Sequence, residues 1–240
     1  MGAWTEVIAS APFEVGWVEV LAAEVAVSTT NTRALVDVGI GAAPNEAAVI
    51  SSIDVSAAPP STGANFIRYA MPIRIAKGTR IAARIQGVNS AETCSFGLIL
   101  RPSSAGKLSS SRIVTMGDNR ADSTGTLLTE GVGTAKGAWT EVIATTAESF
   151  SGLVVMIGQG TGGNTAGQTA LIDVAVGAAG SEVAIISDLL IYHTSTEYIT
   201  RIYRSCFARH IPAGSRLSAR FSRTSTTLVP SVILLGIPMV

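Results

Sequence analysis

Apolar and polar residues alternate along this chain with a period of two rather than 3.6. In residues 80–86, Arg80, Ala82, Arg84 and Gln86 share one face, while Ile81, Ala83 and Ile85 share the other. Residues 216–222 repeat the parity, with Arg216, Ser218, Arg220 and Ser222 opposite Leu217, Ala219 and Phe221. Such alternation marks a strand with one wet face and one dry face. Residues 98–100 and 232–235 are continuous apolar runs, as central strands of a sandwich require. Gly, Ser, Thr, Asn and Pro interrupt the pattern every roughly 8 to 12 residues, the spacing of an all-β sandwich. No sustained amphipathic helix is evident. Residues 45–52 fit a helical turn, but β-branched Val49 and Ile50 suit a strand equally well.

The pattern is written twice. Gly-Ala-Trp-Thr-Glu-Val-Ile-Ala at residues 2–9 recurs letter for letter at 137–144, and residues 34–43 return in conservative form at 170–179. Residues 75–84 and 96–102 return at 211–220 and 232–238, so the offset is 135 or 136 throughout. A shared offset across separated blocks predicts a tandem duplication of units long enough to be domains. The expected organisation is a first antiparallel β-sandwich over 1–102, a connector over 103–136, and a second β-sandwich over 137–240. Each sandwich is expected to be a jelly roll. The connector opens on Ser- and Gly-rich sequence, then carries β-prone residues 112–116 and 126–129, which suit extra edge strands of the second sandwich.

Composition narrows the function classes. The chain has 240 residues, 47% hydrophobic and only 14% charged, with 17 basic and 17 acidic side chains. Neither disorder nor a dedicated nucleic-acid binder fits that neutral, apolar balance. No apolar stretch approaches the roughly 18 to 20 residues of a spanning helix, so membrane insertion is not expected. The start of the chain shows no signal-peptide pattern. Cys94 and Cys206 fall at non-corresponding places and are expected as buried thiols rather than as a disulfide.

The repeat also selects the candidate residues. Trp4 and Trp139, Asp37 and Asp173, Glu46 and Glu182, Arg80 and Arg216, and Arg84 and Arg220 are matched pairs. Paired carboxylates can perform acid–base chemistry. A dyad copied into two domains with no other reactive group nearby instead reads as structural. On that reading Glu46 and Glu182 accept from turn amides or pair with the arginines. Arginine far outnumbers lysine, which suits partly buried ion pairs or a face that meets another subunit. His193, Cys206 and His210 match no metal-site spacing, and the first copy lacks all three, so no metal or cofactor is expected. Residues 118–123 lack the spacing of a calcium loop, and residues 131–137 lack the ending of a P-loop. Loops 24–32 and 158–168 lie at sandwich ends, where binding sites are common.

Three motifs carry a family resemblance. They are Trp-Thr-Glu-Val-Ile-Ala at 139–144, Asp-Val-x-x-Gly-Ala-Ala-x-x-Glu-x-x-Ile-Ile at 173–186, and Pro-Ala-Gly-Ser-Arg-Leu-Ser-Ala-Arg at 212–220. Together they resemble β-sandwich structural proteins of tailed bacteriophages; the first copy departs by carrying Ala76-Lys77 in place of Pro-Ala. The resemblance implies a non-catalytic virion component, a tail or head fibre or a capsid decoration protein. It further implies a homo-oligomer, expected to be a trimer, that contacts other virion proteins and is assembled in the host cytoplasm. The alternative from another class is a carbohydrate-binding module using loops 24–32 and 158–168. The two readings can coexist, since fibres recognise cell-surface glycans.

Overall fold

The structure is a computed structural model that describes residues 1–25, 34–55, 67–87, 93–103, 110–129, 131, 135–159, 168–193, 206–223 and 229–239. The chain is all-β, and every strand pairing is antiparallel apart from one isolated bridge. Residues 47–54 settle as strand, in keeping with β-branched Val49 and Ile50. The N-terminal strands are β1 (Thr5–Ile8), β2 (Val15–Val25), β3 (Ala34–Ile40), β4 (Ala47–Asp54), β5 (Ile67–Met71), β6 (Ile81–Gly87) and β7 (Thr93–Pro102). They form one sheet in the order β1-β6-β3-β4 and a second in the order β5-β2-β7.

The later strands reuse these orders. After β8 (Val114–Met116), β9 (Asp118–Asn119) and β10 (Thr124–Leu127) come β11 (Thr140–Ile143), β12 (Phe150–Gln159), β13 (Gln168–Val176), β14 (Val183–His193), β15 (Cys206–Ile211), β16 (Leu217–Arg223) and β17 (Pro230–Pro238). Strands β11-β16-β13-β14 form one sheet and β15-β12-β17-β10-β9 another, with β8 also on β17. The first order repeats that of β1-β6-β3-β4, and β15-β12-β17 repeats β5-β2-β7. Even the irregularities match. Strand β1 slips register on β6 between Glu6 and Ile8, and β11 slips on β16 between Glu141 and Ile143.

Strand parity divides the residues of β12 and β17 between two cores. Along β12, Leu153, Val155 and Ile157 join a core with Phe150, Ile172, Leu217 and Phe221. The alternate residues Val154 and Met156 join the other core, with Leu35, Val49 and Ile53 of the N-terminal strands. Strand β17 divides the same way, Val232 and Leu234 to one core and Ile233, Leu235 and Ile237 to the other. Both faces of these two strands are therefore dry, which a continuous apolar sequence requires. On β7 the corresponding run has Ile99 39% exposed.

Within the expected connector, residues 110–128 form strands and contacts. Ile113 N–H donates to Val49 O at 2.8 Å, Thr115 Oγ1 to Ser51 O at 2.6 Å, and Ser52 Oγ to Asp118 Oδ2 at 2.6 Å. Strands β8 and β10 pair with β17, so the β-prone pieces of the connector lie at the edge of the C-terminal sheet.

Candidate functional site

The matched charged residues gather into two pairs of clusters. Asp37 lies on β3 opposite Arg84 on β6, and Asp173 on β13 opposite Arg220 on β16. Arg84 Nε donates to Asp37 Oδ2 at 2.9 Å, and Arg220 Nε to Asp173 Oδ2 at 3.0 Å. The second oxygen of each carboxylate accepts a backbone N–H across a β-bulge: Ser52 N to Asp37 Oδ1 at 2.8 Å, and Asp188 N to Asp173 Oδ1 at 2.9 Å. Ser52 and Asp188 sit at φ of 55° and 54°, a left-handed conformation that costs a non-glycine residue energy. The buried carboxylate holds the bulge by satisfying the N–H that the disrupted ladder leaves over.

Each aspartate takes a further cation, a different residue of the 103–136 connector. Arg120 of the connector reaches Asp37 at 3.3 Å, whereas Lys136 reaches Asp173 at 2.6 Å. Burial works against ionisation of Asp173, but the Asp188 N–H, Lys136 and Arg220 outweigh it and hold the carboxyl below its ordinary value.

The second cluster organises the β3–β4 and β13–β14 turns. Arg80 Nε donates to Glu6 at 2.7 Å, and its Nη1 donates to Glu46 at 2.7 Å and to Gly41 O at 3.2 Å. Arg216 repeats this with Glu141 at 2.8 Å, Glu182 at 3.0 Å and Gly177 O at 3.3 Å. Gly41 and Gly177 turn at φ of 113° and 128°, where a side chain would be strained. The hydrogen bond from Arg80 keeps Glu46 below the ordinary carboxylate range. For Glu182 burial acts upward, and backbone N–H groups together with Arg216 overcome it. Held by arginine N–H groups at one oxygen each, these carboxylates act as fixed acceptors, and the second oxygen of Glu46 is buried without a hydrogen-bond partner.

Trp4 and Trp139 complete the match. The Arg84 guanidinium lies 4.4 Å from the Trp4 ring centroid and that of Arg220 4.2 Å from Trp139, both cation–π contacts. One face of each indole is thereby occupied by an arginine. The other candidates do not gather. His210 is exposed, His193 ends β14, and among the described residues no group of three or more His, Cys, Asp or Glu side chains is placed to hold a metal. Cys94, expected buried, is half-buried on β7. Residues 118–123 form a polar turn in which Asn119 and Asp122 bond each other and Asp118 meets Ser52 and Arg120. Most of loops 24–32 and 158–168 lies outside the described residues. Among the described residues no helix is long and apolar enough to cross a membrane.

One cluster escaped the repeat because it has no counterpart. Glu19 of β2 is 3% exposed on the outward face of its sheet, clamped by Arg68 and by Arg101 at 2.6 Å. Burial presses its carboxyl upward, and the two arginines more than reverse this. The signal was a charge set between Val18 and Val20 on a strand whose neighbours also carry arginine.

Beside β7 the N-terminal sheets part. A cleft of about 410 Å³ is lined by Val7, Ala83, Ile85 and Phe96 and also by the charged Glu6 and Arg84. No protein-family model, curated protein or solved structure matches this chain.

Proposed function

We propose that this protein is a non-catalytic structural component of a virus particle, a tail- or capsid-attached fibre or decoration protein made of two jelly-roll sandwiches. The strand order supports the jelly roll. If β8 and β10 count together as the first strand of the C-terminal unit, its sheets run 1-8-3-6 and 2-7-4-5, the interleaved order of two Greek keys. Among the described residues the N-terminal strands follow the same order from the second strand on. The matched offset makes tandem duplication the economical source of both.

The observation that carries the functional reading is how the ten matched side chains are used. Each ends in a bulge lock, a turn clamp or an indole stack, the same in both units. A protein whose charges hold strands together acts by packing and presentation. Its few charges leave surface suited to cover by neighbours, as in a symmetric homo-oligomer. Mass photometry of the purified full chain, alone and with purified particles from the same source, tests the reading. A homo-oligomer that also binds the particle is expected. A monomer that leaves the particle unbound overturns it.

A further inference from the structure

The two units also differ at the strand beside β17 and β7. In the C-terminal unit β17 is enclosed: β8 pairs with it through Met116–Leu234, Thr115–Leu235 and Val114–Gly236, and β10 through Thr126–Val232 and Leu127–Ser231. Every residue of β17 is buried. Met116 and Leu128 enter the core, and Gly117 crosses Val142 so closely that a Cβ there would collide with it. Residue 142 corresponds to Val7, which is half-buried and lines the open cleft.

In the N-terminal unit β7 pairs with β2 and, among the described residues, with no strand on its other side. From Thr93 to Arg101 its register on β2 runs without a bulge, and the stretch holds a single charge, Arg101. Natural sheet edges are blunted by lysine, proline, bulges or a covering element. Among the described residues 95–102 this edge carries only a terminal Pro102, and Phe96, Leu98 and Leu100 are partly buried against the core.

We propose that the β7 edge and its cleft accept an extended strand from a separate polypeptide. The occupant of the matching place on β17 defines the chemistry of that strand. It runs antiparallel to β7, places an apolar side chain over the cleft as Met116 does, and has glycine where it passes Val7. A second copy of this chain is a poor donor, because among the described residues the segment of this form, 114–127, already closes β17. Giving up residues 114–127 would uncover β17, which is dry on both faces. The inference rests on the difference between two matched strands and does not depend on the virion reading.

The test uses the full chain and a synthetic peptide of residues 112–128 as probe, followed by calorimetry and hydrogen-exchange mass spectrometry. One-to-one binding is expected, with amide exchange over residues 95–101 slowed about tenfold or more and residues 231–236 unchanged. A second protein carries an additional copy of residues 112–136 ahead of Gly2, reproducing the natural Lys136–Gly137 join. It is expected to melt higher than the parent and to lose the peptide site, since the strand is then supplied in cis. The proposal is overturned by absence of binding, by protection at 231–236 instead of 95–101, by β7 amides as protected as those of β17 in the free chain, or by β7 pairing with β7 of a second copy.

Discussion

Replacing Asp173 by alanine tests whether the buried carboxylate holds the bulge between β13 and β14. The change removes the acceptor of the Asp188 N–H, the Lys136 contact at 2.6 Å and the Arg220 contact at 3.0 Å. Breaking a buried ion pair by deleting one partner costs about 3–5 kcal/mol. The side chains of Lys136 and Arg220 are 18% and 32% exposed and regain water on release, which places the loss near the lower end, about 3 kcal/mol. For a chain of this size that corresponds to a fall in Tm of roughly 6–12 °C. Urea titration and calorimetry of Asp173→Ala beside the parent measure it.

The pH dependence gives an independent sign. The folded-state pKa of Asp173 lies below its ordinary value, so its contribution is complete above the unfolded value and is lost as pH falls through the folded one. The parent and Asp173→Ala stabilities should therefore converge below about pH 4. A loss under about 1 kcal/mol at neutral pH, the scale of an ordinary surface change, refutes the lock. So does a gap that persists unchanged to about pH 2.

Other substitutions probe the remaining contacts. Gly125→Ala brings a Cβ to 2.5 Å from Val232 O, a backbone atom that has little room to yield, and should cost about 1–3 kcal/mol in chemical denaturation. Phe221→Ala empties a fully buried site on β16 and should cost about 3–5 kcal/mol, whereas Val183→Ser, at a position 65% exposed, should stay within about 0.5 kcal/mol. Arg216→Lys keeps the charge but loses the fork that joins Glu141, Glu182 and Gly177 O; a lower Tm is expected, and an unchanged melting curve would show the fork to be dispensable.

Local order was legible in the chain because strand alternation and duplication are one-dimensional signals. The parity of Arg80 to Gln86 and of Arg216 to Ser222 predicts strands β6 and β16, and the shared offset predicts that Arg80 and Arg216 do the same work. The partners of Glu46 and Glu182 were already limited to a few arginines and turn amides. Asp37 and Asp173 were harder to read. Their partners Ser52 and Asp188 lie fifteen residues away, and the contact exists only because a bulge shifts one strand against the other.

Tertiary structure alone decided how two equivalent strands diverge. Residues 96–102 and 232–238 read as the same apolar strand, and periodicity assigns both to a sandwich interior. Strand β17 is buried on both faces because β8 and β10 close its edge and the N-terminal strands cover its back, while β7, among the described residues, pairs only with β2 and has an outward Ile99. Apolar character records how much surface a strand needs to bury. Which neighbour buries it depends on where the rest of the chain passes, and residues 114–127 pass beside β17.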